Sequence, residues 1–216
     1  MTEPRFSYPV VLDLTGRRAV VIGGGAVALR KAQALADAGA EVTVVSPELL
    51  PEFHDDKRLR CLEQPYSARQ VFHANLVIAA TDDPNVNTRV GIDSRAAGAL
   101  VNVVDRPGSC DFIVPAVLER GPLQVAISTG GAAPSLARRI RDRLQDEFGP
   151  EYELLLTALA EVRERYKARP MMPGVRRRIF ERLTEDDILE AARQGPEALR
   201  AAIDAAIAGV LGEGQK

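Results

Sequence analysis

The residues best placed to do chemistry are Gly23-Gly24-Gly25-Ala26-Val27-Ala28, spaced as G-x-G-x-x-A. They follow the apolar run Arg18-Ala19-Val20-Val21-Ile22 and open a segment that reads as a helix to Ala38. Without Cβ atoms, Gly23 and Gly25 let the backbone turn tightly and approach a pyrophosphate, and Ala28 lets the helix pack close to the strand. The helix start would aim the free N–H groups of Ala26 and Val27, and a partial positive charge, at the phosphates of a dinucleotide. A plain strand-to-helix turn uses the same residues, so the order strand, loop, helix is the context that favours a ligand.

In an open parallel sheet, ligands collect beyond the carboxyl ends of the strands. Ser46, Thr81 and Asp105 leave such ends here. Where dinucleotide-binding folds place an acidic residue against the adenine ribose, this chain has Ser46-Pro47-Glu48. Either Glu48 reaches back from two positions later, or Ser46 and the backbone at Pro47 hold the ribose, and the spacing does not separate NAD from NADP. In Thr81-Asp82-Asp83-Pro84, Asp83 before Pro84 reads as a helix N-cap, which leaves Thr81 and Asp82 for the cofactor. Asp105 follows the strand Leu100–Val104, which contains Asn102, and precedes Arg106-Pro107-Gly108. A carboxylate there faces the nicotinamide end of the cleft or braces the turn, and spacing favours neither. A second candidate is Ser128-Thr129-Gly130-Gly131, ahead of a helix carrying Arg138, Arg139, Arg141 and Arg143. That helix start suits a carboxylate or phosphate, or is an ordinary capped helix with a charged outer face.

These residues are positioned by an alternating first half. Strands are expected at 19–22, 41–45, around Cys61 and Leu62, at 76–80 and at 100–104, with helices at 26–38 and from Pro84 to about Ala97. Short apolar runs separated by helices describe a parallel sheet covered on both faces, a Rossmann-type α/β domain over 1–112. Next, 112–118 and 123–128 read as a hairpin-like pair of strands. Leu136, Ile140, Leu144 and Phe148 recur every four residues, so the spacing predicts an amphipathic helix over 135–148. Helices are expected at 152–167, 173–183 and 196–211, with a frayed end over 212–216. The divisions are thus 1–112, 113–148 and a helical C-terminal domain, 149–216.

Hydrophobic content of 46% and charged content of 27% fit a globular chain that buries a core. No run approaches the roughly 18 apolar residues of a membrane span, and the start lacks a basic-then-apolar leader, so a soluble cytoplasmic protein is expected. Cys61 and Cys110 form no CxxC, and His54 and His73 stand alone, so no metal cluster is expected. Between 138 and 182 there are twelve Lys/Arg against eight Asp/Glu, although the whole chain carries −2. A basic stretch of this kind suits a polyanionic ligand or a solvated helix face. No nucleic-acid motif accompanies it.

Taken in order, several motifs resemble the siroheme synthase family. They are Tyr8-Pro9-Val10 with Leu12-Asp13-Leu14, Val20 to Ala28, Ala79 to Asp83, Asn102-Val103-Val104-Asp105, Phe112 to Ala116, and Ser128 to Gly131 with Pro134. The likeness covers about 6–150, and the chain looks like the stand-alone precorrin-2 dehydrogenase, which some members combine with sirohydrochlorin ferrochelatase activity. The resemblance implies NAD-dependent oxidation of precorrin-2 to sirohydrochlorin and, in bifunctional members, insertion of ferrous iron. It also implies a homodimer built through 113–148, making that stretch a small α+β dimerisation segment. Asp105 falls on the family's functional aspartate. Ser128 falls on a serine near the tetrapyrrole site, which makes Asn102, Ser128, Gly130, Gly131 and Arg138 the expected substrate contacts.

Other readings use fewer of these residues. An NAD-sensing regulatory module accounts for 23–28 but not for Asn102–Asp105 or Ser128–Gly131. Short-chain dehydrogenase chemistry needs Tyr-x-x-x-Lys, and none of Tyr8, Tyr66, Tyr152 and Tyr166 has a Lys four residues later. A methyltransferase site wants the missing strand-end carboxylate.

Overall fold

In the computed structural model, residues 6–167 and 169–213 are described. Of the expected frayed end over 212–216, residues 212 and 213 continue the last helix, and 214–216 lie outside the described residues. The chain forms two compact units, 1–114 and 115–216.

The first unit is a five-stranded parallel sheet. Its strands are β1 (Arg18–Ile22), β2 (Glu41–Ser46), β3 (Leu59–Glu63), β4 (Leu76–Ala79) and β5 (Leu100–Val103), in the order β3-β2-β1-β4-β5. The helices are α1 (Ala26–Asp37), the single turn α2 (Glu52–Asp55) and α3 (Pro84–Ala96). Successive strand residues face opposite sides of a sheet. Val20, Ile22, Val45, Val77, Val101 and Val103 accordingly pack on one face with Val90 of α3. Ala19, Val21, Val42, Val44, Leu76 and Ile78 pack on the other with Ala28, Ala32 and Leu35 of α1. Because both faces are covered, the central strands β1 and β4 are continuous apolar runs rather than alternating ones.

In the second unit, β6 (Ala116–Arg120) and β7 (Leu123–Ile127) form an antiparallel pair. The helices α4 (Pro134–Leu144), α5 (Glu151–Lys167), α6 (Val175–Arg182), α7 (Asp186–Gln194) and α8 (Pro196–Glu213) follow. Leu155, Val162, Ile179, Leu183, Ile188, Leu199, Ile203 and Ile207 form its core.

Three expectations need correction. The first hairpin strand begins at Ala116 rather than Phe112: Pro115 has no N–H to donate, and the Phe112 carbonyl is taken by the Asn102 side chain at 2.9 Å. Helix α4 stops at Leu144, short of Phe148, and Arg120 of β6 donates to the Phe148 carbonyl at 2.8 Å. Helix α7 was not expected. Its acidic first turn is held by Arg182, which donates to both carboxylate oxygens of Asp187 at 2.8 and 2.6 Å.

The expected cap at Asp83 is present. Its Oδ1 accepts from the N–H of Asn85 at 2.7 Å and of Val86 at 3.4 Å, with Pro84 at the first helical position. Asp83→Ala should destabilise the protein by about 1 kcal/mol. That corresponds to roughly 2–4 °C in Tm, with Asp83→Asn close to the parent in a thermal melt. No change on removing the cap would mean that the start of α3 does not depend on it.

Candidate functional site

The direction of strand addition reverses between β1 and β4, which opens a crevice at their carboxyl ends. Three glycines shape one side of it, each differently. Gly23 has φ +137°, its N–H is bonded to the Val45 carbonyl at 2.9 Å, and a Cβ there would strike the Ala80 carbonyl. Gly24, at the variable position of the motif, is just as constrained: a Cβ would strike the Glu48 carbonyl and crowd the Ser46 hydroxyl. Its own carbonyl accepts from Leu50 N–H at 3.1 Å. Gly24 was missed as a site residue because the G-x-G spacing leaves that position free.

Gly25 differs from both. It is the N-cap of α1 in extended backbone, offers no side chain to the helix, and a Cβ there would meet nothing within 4 Å. Leu29 N–H makes the first bond of the helix, to the Gly25 carbonyl. The N–H groups of Ala26 and Val27 therefore have no partner inside the helix, and no acidic residue stands in its first turn. An open cradle beside uncapped N–H groups fits a pyrophosphate in size and charge.

Ser46 lies half-buried against Gly24, while Pro47 and Glu48 are exposed. Thr81 is held by Asn87 of α3. The Asn87 oxygen accepts from the Thr81 N–H at 3.1 Å and from its hydroxyl at 2.8 Å, and the Asn87 amide donates to the Thr81 carbonyl at 2.7 Å. Asn87 is a buried polar residue on the inward face of α3, with Val90, Gly91 and Ser94. It was missed because that face of α3 carries no apolar stripe for a polar residue to interrupt. Asp82 is exposed at the crevice beside this anchor.

Asp105 lies on the same edge. Ile22, Ala79 and Val103 are in register across β1, β4 and β5, so Asp105 stands two strand spacings, about 10 Å, from the glycine loop. It is exposed and left-handed, with φ 59°. For a residue with a Cβ this conformation costs on the order of 1 kcal/mol, and Asp and Asn tolerate it best. Asn102, expected as a substrate contact, is 8% exposed, and its amide nitrogen donates to the Phe112 carbonyl at 2.9 Å and lies 3.6 Å from the Cys110 sulfur.

In the second unit, the Ser128 hydroxyl accepts from Gly130 N–H at 3.1 Å and that of Thr129 from Ala133 N–H at 3.0 Å. Gly130 and Gly131 both have positive φ, at 62° and 86°. Arg138 is exposed and in no ion pair among the described residues, whereas Arg141 is paired with Asp142. Much of the basic balance farther along is internal, as in Arg177 with Glu181 and Arg182 with Glu185 and Asp187. Among the described residues no group of three or more His, Cys, Asp or Glu could hold a metal, and no helix is long and apolar enough to cross a membrane.

Comparison with known proteins places this geometry. An NAD(P)-binding family model matches residues 10–116, and the model of the sirohaem biosynthesis protein central region matches 120–147. A siroheme synthase from Nitrosococcus oceani is 41% identical over 93% of this chain and 44% of its own length. One from Methylobacillus flagellatus is 45% identical over 81% of this chain and 38% of its own. Over most of its own length the chain is similar to siroheme synthases. It spans less than half the length of those curated relatives. Among solved structures, SirC, precorrin-2 dehydrogenase, superposes with a TM-score of 0.74 at 26% identity, covering 92% of this chain and 98% of that one. The NAD(P)-binding match takes in the glycine loop, Ser46, Thr81 and Asp105. The central match takes in most of the second-unit hairpin, the Ser128–Gly131 turn and α4.

Gly25→Ala tests the cradle. The added methyl enters open space, so the fold should survive with Tm within a few degrees, while NAD affinity measured by titration calorimetry falls by at least about tenfold as the methyl obstructs the phosphate approach. Unchanged affinity would place the pyrophosphate elsewhere.

Proposed function

We propose that this chain catalyses NAD-dependent oxidation of precorrin-2 to sirohydrochlorin, in the cytoplasm. The observation that carries the reading is the exposed carboxylate of Asp105, held in a left-handed turn on the sheet edge that also bears the glycine cradle. The likeness to SirC along nearly its whole length supports it. A regulatory NAD sensor is not favoured, because its site has no use for that carboxylate.

In this reaction the macrocycle loses a hydride and a proton. NAD, when bound, supplies the hydride acceptor. The chain's part is to hold the phosphates on Ala26 and Val27 N–H, with Ser46, Pro47, Thr81 and Asp82 lining the rest of the crevice, and to take the proton on Asp105. In the second unit, Ser128, Gly130, Gly131 and Arg138 are proposed to meet carboxylates of the substrate, an octacarboxylate to which a free guanidinium and a glycine-rich turn are complementary. Among the described residues no further strand pairs with the two-stranded β6–β7 sheet, which leaves its outer edges open to a strand of a second copy. This supports a homodimer built through that segment. Siroheme is in the relatives' name, so ferrous iron is a further candidate substrate.

Mixing the protein with NAD and enzymatically made precorrin-2 should give the sirohydrochlorin spectrum only when NAD is present. Ferrous iron added afterwards reports chelation as a further change above the uncatalysed rate. Asp105→Asn preserves a residue that accepts the left-handed backbone but removes the base. It should lower kcat by about 10²–10⁴-fold with NAD affinity unchanged. An Asp105→Asn enzyme as fast as the parent would exclude Asp105 as the proton acceptor.

A further inference from the structure

Helix α3 covers the sheet and also fastens the loop that carries Asp105. Thr88 and Arg95 are seven residues apart and so share one side of α3. The Thr88 hydroxyl donates to the Pro84 carbonyl at 2.7 Å, which leaves its lone pairs to accept from the Arg106 guanidinium at 3.1 Å. Arg95 Nε donates to Asp111 at 2.9 Å, and its terminal nitrogen donates to the Ser109 carbonyl at 2.6 Å. The loop is thereby tied to α3 immediately after Asp105 and again four to six residues later.

From the sheet side, β5 holds both ends of the loop: the Arg106 N–H donates to the Val103 carbonyl at 3.1 Å, and the far end is gripped at Cys110 and Asp111. Asp111 exchanges two bonds with Val101, its N–H to the Val101 carbonyl at 2.7 Å and its carboxylate from the Val101 N–H at 3.0 Å. The buried Cys110 sulfur lies 3.2 Å from both the N–H and the carbonyl of Val103. Asp111 therefore joins the two grips: one carboxylate oxygen faces β5 and the other faces Arg95. Without Arg95, the Ser109 carbonyl and half of Asp111 lose their partner, and the span 104–109 loses its second tie to the helix.

We propose that Arg95 is a positioning residue for the oxidation, acting through Asp105 by holding the 104–111 loop in the shape that keeps this carboxylate on the sheet edge. The proposal rests on the reading of Asp105 as proton acceptor. Both partners of the Arg95–Asp111 pair are partly exposed, 42% and 27% at the side chain, so water can solvate what truncation leaves behind and the fold does not depend on the pair.

The test is a kinetic cycle on the parent, Arg95→Gln, Asp105→Asn and the double variant, with NAD affinity measured for each. Arg95→Gln should lower kcat by about 10–100-fold, the scale of a small misplacement of a reacting group, and leave NAD affinity unchanged. Arg95→Lys, which keeps a cation beside Asp111, should recover part of the loss. In the Asp105→Asn background, Arg95→Gln should have no further effect, because the group it positions is already gone. If the two losses multiply instead, Arg95 does not act through Asp105 and the positioning role is overturned, while the reading of Asp105 stands. If Asp105→Asn is as fast as the parent, that reading fails and the positioning role falls with it. Should Arg95→Gln not fold, Asp111→Asn carries the same cycle with the same two outcomes.

Discussion

The site depends on how closely the backbone packs at the carboxyl edge of the sheet. Gly23 and Gly24 are pressed against the Ala80 and Glu48 carbonyls so tightly that neither position has room for a side chain. That packing seats the loop between β1 and α1 and leaves Gly25 facing open space, with the first turn of α1 uncapped. The anion-binding character of the crevice is a consequence. Backbone dipoles are aimed outward because the glycines ahead of them are clamped inward.

The remaining edge loops are held by polar side chains placed where an apolar residue would otherwise sit. Asn87 supplies Thr81 with the bonds a neighbouring strand would have made, and Asn102 does the same for Phe112. Both are buried and both are satisfied, the condition under which buried polar groups rigidify rather than destabilise a core. Helix α3 links the two sets of contacts, since Asn87, Thr88 and Arg95 all project from it. An α/β unit of ordinary design thus carries an exposed carboxylate in a conformation that a free loop would abandon.

Much of this was legible in the residues. The glycine spacing, the apolar strand runs and the Asp83-Pro84 helix start are local signals, and local physics decides them. What escaped was decided by contacts distant in sequence. Gly24 is constrained by Glu48, twenty-four positions away, and no motif spacing records that. The direction of the Asn102 amide is set by Phe112 and Cys110, ten and eight positions away. Helix α7 is only nine residues long, and its first turn is secured by Arg182 of the preceding helix. The left-handed turn at Asp105 has no sequence signature stronger than the Pro-Gly that follows it.

The central claim is that a dinucleotide lies across the β1–β4 crevice with its nicotinamide beside Asp105. A crystal structure of the protein with NAD bound tests it most directly. The account predicts the pyrophosphate on the N–H groups of Ala26 and Val27 and the nicotinamide ring alongside the Asp105 carboxylate. A ring bound away from that carboxylate, with Asp105 turned into a contact within its own loop, would contradict it.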